Sequence, residues 1–590
     1  MLASKRFSLS WRLILLWALS VFLLVCFRTP FGVEVTDEAF WITEPYLLTQ
    51  GAIPFVDSWS QTPLTSLLLA PLISVYLSLT GGTEGIFLYM VYAAVLFRLV
   101  IAVAVWYFLK DGMDSRIAAV CALLLFCLAP HNCRSLDYNV LSLNLLALSG
   151  SLLCSASCQS DLSKAIRRYA GGGVVMALCA IAHTLQLVNC LLFFILLLFT
   201  ERRKWKNIPI FFFYALSGLS IAIFTILYLE IVGGGKLFSG ILCVLSSNYF
   251  HIPRIGFWGQ LHYFIPSFAA LVLRRWLPLF LLCFGALSVF LYLKKRIFFR
   301  YLPSIFSLAH TLATCGILAL GCWQRWNSNS LIMLLFFTTP LYLLAIKPIY
   351  RQASFRLLSF FWLPAFFSLL LISLASVSDV TVRYYTLFQG AMLGIPFAFR
   401  ALSDGAWGPI ADRVSFRQAL ALPCLLGALF SASMLLHYWS YVYRDDPIPQ
   451  LTYRVESGVY KGCHTSPERG RAIESLETQI RSVTSADETV LISDLLPTGY
   501  LMTQAKPCTP SSWDPCMYQY GFQDAALFLQ YFHLRDAVPD KILYINSQDF
   551  PLSIDDPENE FAAFVHERYT LSEEFGEGLF SMRVFTKNPD

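Results

Sequence analysis

As far as Tyr443 the chain alternates long apolar runs with short polar joints, and beyond it the alternation ceases. A bilayer core takes about 20 apolar residues as helix, and basic residues gather in short cytoplasmic joints. The run from Leu13 to Val25 follows Lys5, Arg6 and Arg12 and reads as an anchor with a cytoplasmic basic end. No small-x-small site follows it, which argues against a cleaved signal peptide. Residues 63–80 decide the topology. If they crossed, Lys110, Arg116 and every later basic joint would fall outside. Laid along the outer interface as an amphipathic helix, they leave 29–84 as one long external segment and the charges fall into place.

The parity then runs on. Residues 86–109 go in, to Lys110 and Arg116. Residues 117–131 go out, and 138–156 return to Lys164, Arg167 and Arg168. Residues 170–200 are basic at both ends and predict a pair of short helices turning near His183 to Gln186. Residues 208–232 go out to the polar stretch 233–275. Runs 276–293, 302–322, 331–346, 357–377, 384–399 and 418–440 continue the alternation. The expectation is an α-helical polytopic membrane protein of about thirteen transmembrane helices in the inner (plasma) membrane. Its N-terminus would be cytoplasmic and residues 1–443 would form the membrane domain. Residues 444–590 carry ordinary charge and predict an extracytoplasmic α/β domain, with a helix over 468–483 and strands at 489–493, 542–545 and 579–586.

Composition agrees. Of 590 residues 57% are hydrophobic and only 14% charged, against about 25% charged in soluble domains; mean hydropathy is +0.60. The net charge of +5 is scattered as topology signal, which excludes a nucleic-acid surface. No Gly-rich phosphate loop, zinc-type Cys/His spacing or nucleophile elbow occurs. Most of the sixteen cysteines lie inside apolar runs as small hydrophobes. Cys463, Cys508 and Cys516 lie in the polar region, where two could form a disulfide.

The chemistry gathers at the outer face. Asp37, Glu38, Asp57 and Asp137 fall in external segments, and Asp37 and Asp137 sit at the ends of different membrane runs. Carboxylates near a bilayer are costly and mark functional candidates. Crowded in a partly dry cleft they raise one another's pKa, and one could take a proton from an acceptor hydroxyl. A lipid phosphate leaving group needs cations on the same face; Arg134, Arg254, Arg325 and Arg383 are external arginines suited to bidentate contact. Arg325, between Trp323 and Trp326, equally fits an interfacial belt, and Arg383 equally fits an ion pair with Asp379. His183 and Arg98, single within apolar runs, read as packed, hydrogen-bonded residues.

The stretch Thr36-Asp37-Glu38, followed by Gly51-Ala52-Ile53-Pro54-Phe55-Val56-Asp57 and Thr62-Pro63-Leu64, resembles GT-C membrane glycosyltransferases. It is similar to the protein O-mannosyltransferase group (family 39/83-like), which includes the bacterial aminoarabinose transferases acting on lipid A. Asp137, after Pro130, matches the second acidic motif, and Arg383-Tyr384-Tyr385 resembles the late R-Y-[YF] element. The resemblance implies a GT-C-like fold and inverting transfer from a polyprenyl-phosphate sugar. Asp37 would be the base, with Glu38 and Asp137 beside it, and Asp57, Arg134, Arg254, Arg325, Arg383 and Tyr384 would bind substrate. Glu38 departs from members with a second Asp. The acceptor stays open among glycolipid, lipopolysaccharide core, polysaccharide and protein. No cofactor is required, although a divalent metal could sit between carboxylates. A lipid-linked sugar flippase, which should show repeats and broken helices, and a non-catalytic envelope-assembly protein are the competing readings.

Overall fold

The computed structural model describes residues 8–60, 62–200, 209–246, 356–374, 384–396, 416–493, 496–512, 525–547, 560–576 and 578–589, with a few isolated positions besides. The helices are α1 (Ser8–Arg28), α2 (Asp37–Thr49), α3 (Thr65–Thr80), α4 (Ile86–Leu109), α5 (Ser115–Cys127), α6 (Tyr138–Cys158) and α7 (Leu162–Ala182). They continue with α8 (Leu187–Thr200), α9 (Pro209–Val232), α10 (Leu237–Ser246), α11 (Leu363–Leu374), α12 (Phe388–Met392), α13 (Phe416–Ser440) and α14 (Pro467–Val483). Among the described residues five helices are long and apolar enough to cross a membrane: α1, α4, α6, α7 and α9. The expected thirteen are not reached among them, and the predicted spans 276–293, 302–322 and, but for Met333 and Phe337, 331–346 lie outside the described residues.

Several joints behave as their sequence demands. Residues 65–80 do form a separate helix, stopped by Gly81 in the left-handed region at φ +74°. The turn expected near His183 is there: α7 ends at Ala182, and a 3-10 turn over Thr184–Gln186 leads into α8. The run 117–131 departs from expectation. It yields a 13-residue helix, α5, buried along most of its length. This helix is about 20 Å long, and its C-terminal carbonyls open into the protein interior, where they need donors. Arg98 of α4, itself buried, supplies one, its Nη1 donating to the Leu128 carbonyl at 3.2 Å. That is a helix-capping role for a cation the sequence places singly within a span.

Beyond α13, strands β1 (Tyr453–Arg454) and β2 (His464–Thr465) pair antiparallel. A five-stranded sheet follows, built from β3 (Thr489–Ser493), β4 (Lys506–Pro507), β5 (Lys541–Ser547), β6 (Tyr569–Phe575) and β7 (Phe580–Lys587) in the order β4-β3-β5-β7-β6. β3 runs parallel to β4 and β5; β7 is antiparallel to β5 and β6. This C-terminal α/β region shares a hydrophobic core with the first long loop and the N-terminal end of α4. Val33, Val35, Ile42, Phe87 and Met90 pack in one cluster with Val459, Tyr460, Ile473, Val490 and Leu543. Cys463 and Cys508 are free thiols buried in two different clusters. They are not joined to each other, and Cys516 lies outside the described residues.

Candidate functional site

The acidic stretch is shaped by the way the chain leaves α1. Gly32 turns at φ +114°, and a Cβ there would meet Val442 at 2.6 Å and the Arg134 guanidinium at 3.3 Å, so only glycine passes. The Gly32 N–H donates to the His464 carbonyl (2.7 Å) and the Val33 N–H to the Asp445 carboxylate (2.7 Å). The next residues start α2 with two acids in its first turn, the favourable end of the helix dipole for negative charge. The Thr36 side chain does not cap this helix. Glu34 does the work instead, accepting the Thr36 N–H (2.9 Å) and the Glu38 N–H (2.6 Å).

Asp37 and Glu38, adjacent in sequence, have opposite surroundings. The Glu38 carboxylate is sealed (0% exposed) and clasped by Arg134, Nη2 to Oε2 at 2.6 Å and Nε to Oε1 at 3.3 Å. The Arg134 backbone N–H also donates to Oε1. The remaining Arg134 nitrogen, Nη1, donates to the carbonyls of Thr29, Phe31 and Gly32. Arg134 was expected to meet a phosphate; in the structure its donors are committed to Glu38 and the loop. Asp37 keeps 28% of its side chain exposed. Its Oδ2 accepts from the Tyr443 hydroxyl and lies 3.0 Å from Arg444 Nη2. The other Arg444 arm, Nη1, donates to the Thr36 hydroxyl and approaches Glu34 Oε1 at 3.5 Å. Burial, then the charge of Asp37, pushes the Glu34 carboxyl up to about 7, against the pull of Arg444.

Asp137 is brought to the same place from the second loop. It caps α6, accepting the Val140 N–H at 2.6 Å and the Asn139 amide at 3.3 Å. Burial pushes its carboxyl up to about 7, with those hydrogen bonds opposing. Between the two segments lies the Cys133 thiol. Burial raises it well above its ordinary value, and the charges of Asp137, Glu38, Asp37 and Glu34 raise it further. The loop carrying it holds His131 and Asn132 at φ +55° and +61°, a costly pair for non-glycine residues. Asn132 is pinned to α13 through the carbonyls of His437 and Tyr441, and the His131 ring stands edge-on to Tyr385 at 4.9 Å. Tyr385 in turn donates to Asn139 at 3.0 Å, so the late motif does meet the second acidic loop.

Asp57 is elsewhere. Its carboxylate accepts the Ile53 N–H (2.9 Å) and pairs with Arg535 of the C-terminal region, tying the first loop to that region. Burial pushes its carboxyl up, and Arg535 draws it back. Arg254, Arg325, Arg383 and Asp379 lie outside the described residues; Tyr384 opens a short 3-10 turn. Sequence reasoning missed Glu34, Tyr443 and Arg444. Their signal was positional: one acid three residues before Asp37, and a Tyr-Arg-Asp-Asp run directly after the last apolar helix. Among the described residues no group of three His, Cys, Asp or Glu side chains could hold a metal ion.

An aromatic file leads away from the acids. Trp41, one turn beyond Asp37, lies 5.0 Å from Tyr138, and Tyr138 lies 4.9 Å from His183 at the end of α7. Beside His183, at Thr184, begins an apolar cavity of about 620 Å³ walled by α7, α8, α9 and α10, with Phe55 and Leu64 of the first loop at its edge.

No family model matches the chain, and no curated protein matches it. Solved structures similar to it include the Archaeoglobus fulgidus oligosaccharyltransferase tethered with an acceptor peptide containing the NVT sequon (11% identity over 97% of this chain and 74% of that one, TM-score 0.46). The apo form of that oligosaccharyltransferase (11%, 90% and 69%, 0.44) and the archaeal oligosaccharyltransferase AglB from the same organism, in complex with an inhibitory peptide and a dolichol-phosphate (11%, 97% and 74%, 0.44), are also similar. All three lie below a TM-score of 0.5, too distant to fix the fold of this chain.

Proposed function

We propose that this chain is a GT-C-like membrane glycosyltransferase that transfers a sugar from a polyprenyl-phosphate donor to a hydroxyl acceptor at the outer face of the membrane. One observation carries the reading. Four carboxylates from two loops lie near enough to the Cys133 thiol for their charges to act on it, three are buried, and Asp37 alone among them stays partly open. Both contacts to Asp37 fall on Oδ2, which leaves Oδ1 to receive the acceptor proton. As that proton leaves, the acceptor oxygen bonds to the anomeric carbon. The sugar–phosphate bond breaks, its electron pair passes to the phosphate oxygen, and the configuration inverts. In this reading Arg444, 31% exposed beside the same acid, would exchange one of its present contacts for the departing phosphate. The apolar cavity beyond His183 suits the first isoprenoid units of such a donor, since hydrocarbon-lined clefts of about 300–1,000 Å³ are typical ligand sites.

The test is Asp37→Asn, purified and returned to vesicles supplied with a polyprenyl-phosphate sugar and candidate acceptors. Transfer should vanish while the melting profile stays that of the native chain. Transfer that persists in this variant ends the reading.

A further inference from the structure

A second groove, separate from the acids, runs along α4 between that helix and α3, with a volume of about 830 Å³. Its walls are hydrocarbon: Leu72, Leu88, Leu96, Phe97 and Val100, with Leu136 at the back. From the start of α4 at Ile86 to Val100 it follows the helix for about 21 Å at 1.5 Å per residue. One leaflet of hydrocarbon is about 15 Å thick, so the groove holds an acyl chain and reaches the head-group layer. Tyr76, Tyr89 and Tyr92 line its upper part, the belt position that tyrosine takes at a bilayer surface. The rim carries one charge of each sign. Lys461 Nζ and Glu84 Oε1 stand 3.0 Å apart, both about half exposed, so the pair can part at little cost.

We propose that this groove binds a glycerophospholipid with a phosphoethanolamine head group. The phosphate faces Lys461 and the primary ammonium faces Glu84, matching the rim charge for charge; the acyl chain lies against Leu96 and Val100. A singly anionic head group would leave Glu84 opposed to it, and a quaternary ammonium would offer that carboxylate no N–H. The site also reaches the acidic cluster. Lys461 follows Tyr460, whose hydroxyl donates to the Glu34 carbonyl at 2.7 Å. In the same loop the Gly458 carbonyl accepts the N–H of Gly85 at 2.9 Å. A lipid held at Lys461 therefore steadies the loop that seats Glu34 beside Asp37. The proposal rests on α4 crossing the bilayer and not on the transfer reaction.

The experiment is native mass spectrometry of the full chain in detergent, titrated separately with phosphatidylethanolamine, phosphatidylcholine and phosphatidylglycerol. Phosphatidylethanolamine should be retained about tenfold better than either of the others, the factor expected for one charge-assisted hydrogen bond. Lys461→Ala and Glu84→Gln should each erase that preference. Leu96→Trp, far from the outer region, should block retention of all three without touching the rim. Equal retention of the three lipids, or a Leu96→Trp chain that holds phosphatidylethanolamine as the native chain does, overturns the proposal.

Discussion

Glu38 and Arg134 offer the sharpest test of how the acidic stretch is built, because the reading by sequence and the geometry assign them different work. Replace Glu38 by Gln and the guanidinium keeps its three carbonyls but loses its counter-charge in a place where both side chains are at most 3% exposed. Removing one member of a buried pair costs about 3–5 kcal/mol, since the survivor stays charged and dry. Arg134→Met leaves Glu38 in that state and also strips donors from Thr29, Phe31 and Gly32, at about 1 kcal/mol for each unmade bond. It should be the worse of the two. The double variant has no stranded charge, so its loss should fall short of the sum by about 2–3 kcal/mol, the signature of a shared interaction. Thermal melting of the four chains in one detergent, followed by size-exclusion fluorescence, gives the ranking. Hydrogen exchange over 29–38 and 130–138 locates the damage. Additive losses would refute the clasp. A Glu38→Gln chain that melts like the native one yet transfers no sugar would make Glu38 a reacting group instead.

Other perturbations follow from the same geometry. Burial raises the Glu34 carboxyl to about 7 from an ordinary 4.5, so the folded state holds a proton the unfolded chain releases. Stability from this group therefore falls as pH climbs through that window. Native protein should melt higher at pH 5 than at pH 8, and Glu34→Gln should shrink the difference; an unchanged difference would show that Glu34 does not titrate there. Arg535→Ala strands the Asp57 carboxylate, which is only about one-tenth exposed. It should speed hydrogen exchange over 51–59 while leaving α6 and α7 as they were, and unaltered exchange would count against the tie. A Cβ on Gly173 would lie 2.1 Å from the Tyr214 carbonyl of α9, whereas one on Gly171 meets only Leu152 at 3.8 Å. Gly173→Ala should thus cost about 1–3 kcal/mol by overpacking and Gly171→Ala should be harmless or mildly stabilising; equal melting points would place the α7–α9 contact elsewhere.

Long apolar runs were legible as helices, most with ends within a few residues, because burying a helix in hydrocarbon or core is a property of the run itself. α4 covers 86–109 as read, and β3 covers 489–493. The break at His183 was legible from the basic residues at both ends of 170–200. β6 was not. Its residues Leu571 to Glu574 are exposed at the sheet edge, so no apolar alternation marks it. α5 was overextended because apolar residues continue past Cys127, while Pro130 and two left-handed residues bend the backbone there. The acidic cluster was half legible. Charge at the ends of apolar runs points to function but does not say which neighbour each charge will find. Arg134 found Glu38, ninety-six residues away, while the cation on Asp37 is Arg444, just past α13.

That last pairing bears on how the C-terminal region works. A composition change after Tyr443 invites a cut into a membrane part and a separate covering module. Yet Tyr443 and Arg444, the residues at the cut, hold Asp37. Asp445 holds the backbone of Val33, and Tyr460 holds that of Glu34. Val33 and Phe87 share one core with Val490 and Leu543. A carboxylate exposed by only a quarter, with a cation 3.0 Å away, has its orientation fixed by whatever fixes that cation. Arg444 sits at φ +51°, a conformation a non-glycine residue keeps only when its surroundings impose it. The C-terminal region thus sets the geometry at Asp37 through Arg444 and Asp445, with Tyr443 just before them, and the acid loop belongs structurally to both parts of the chain.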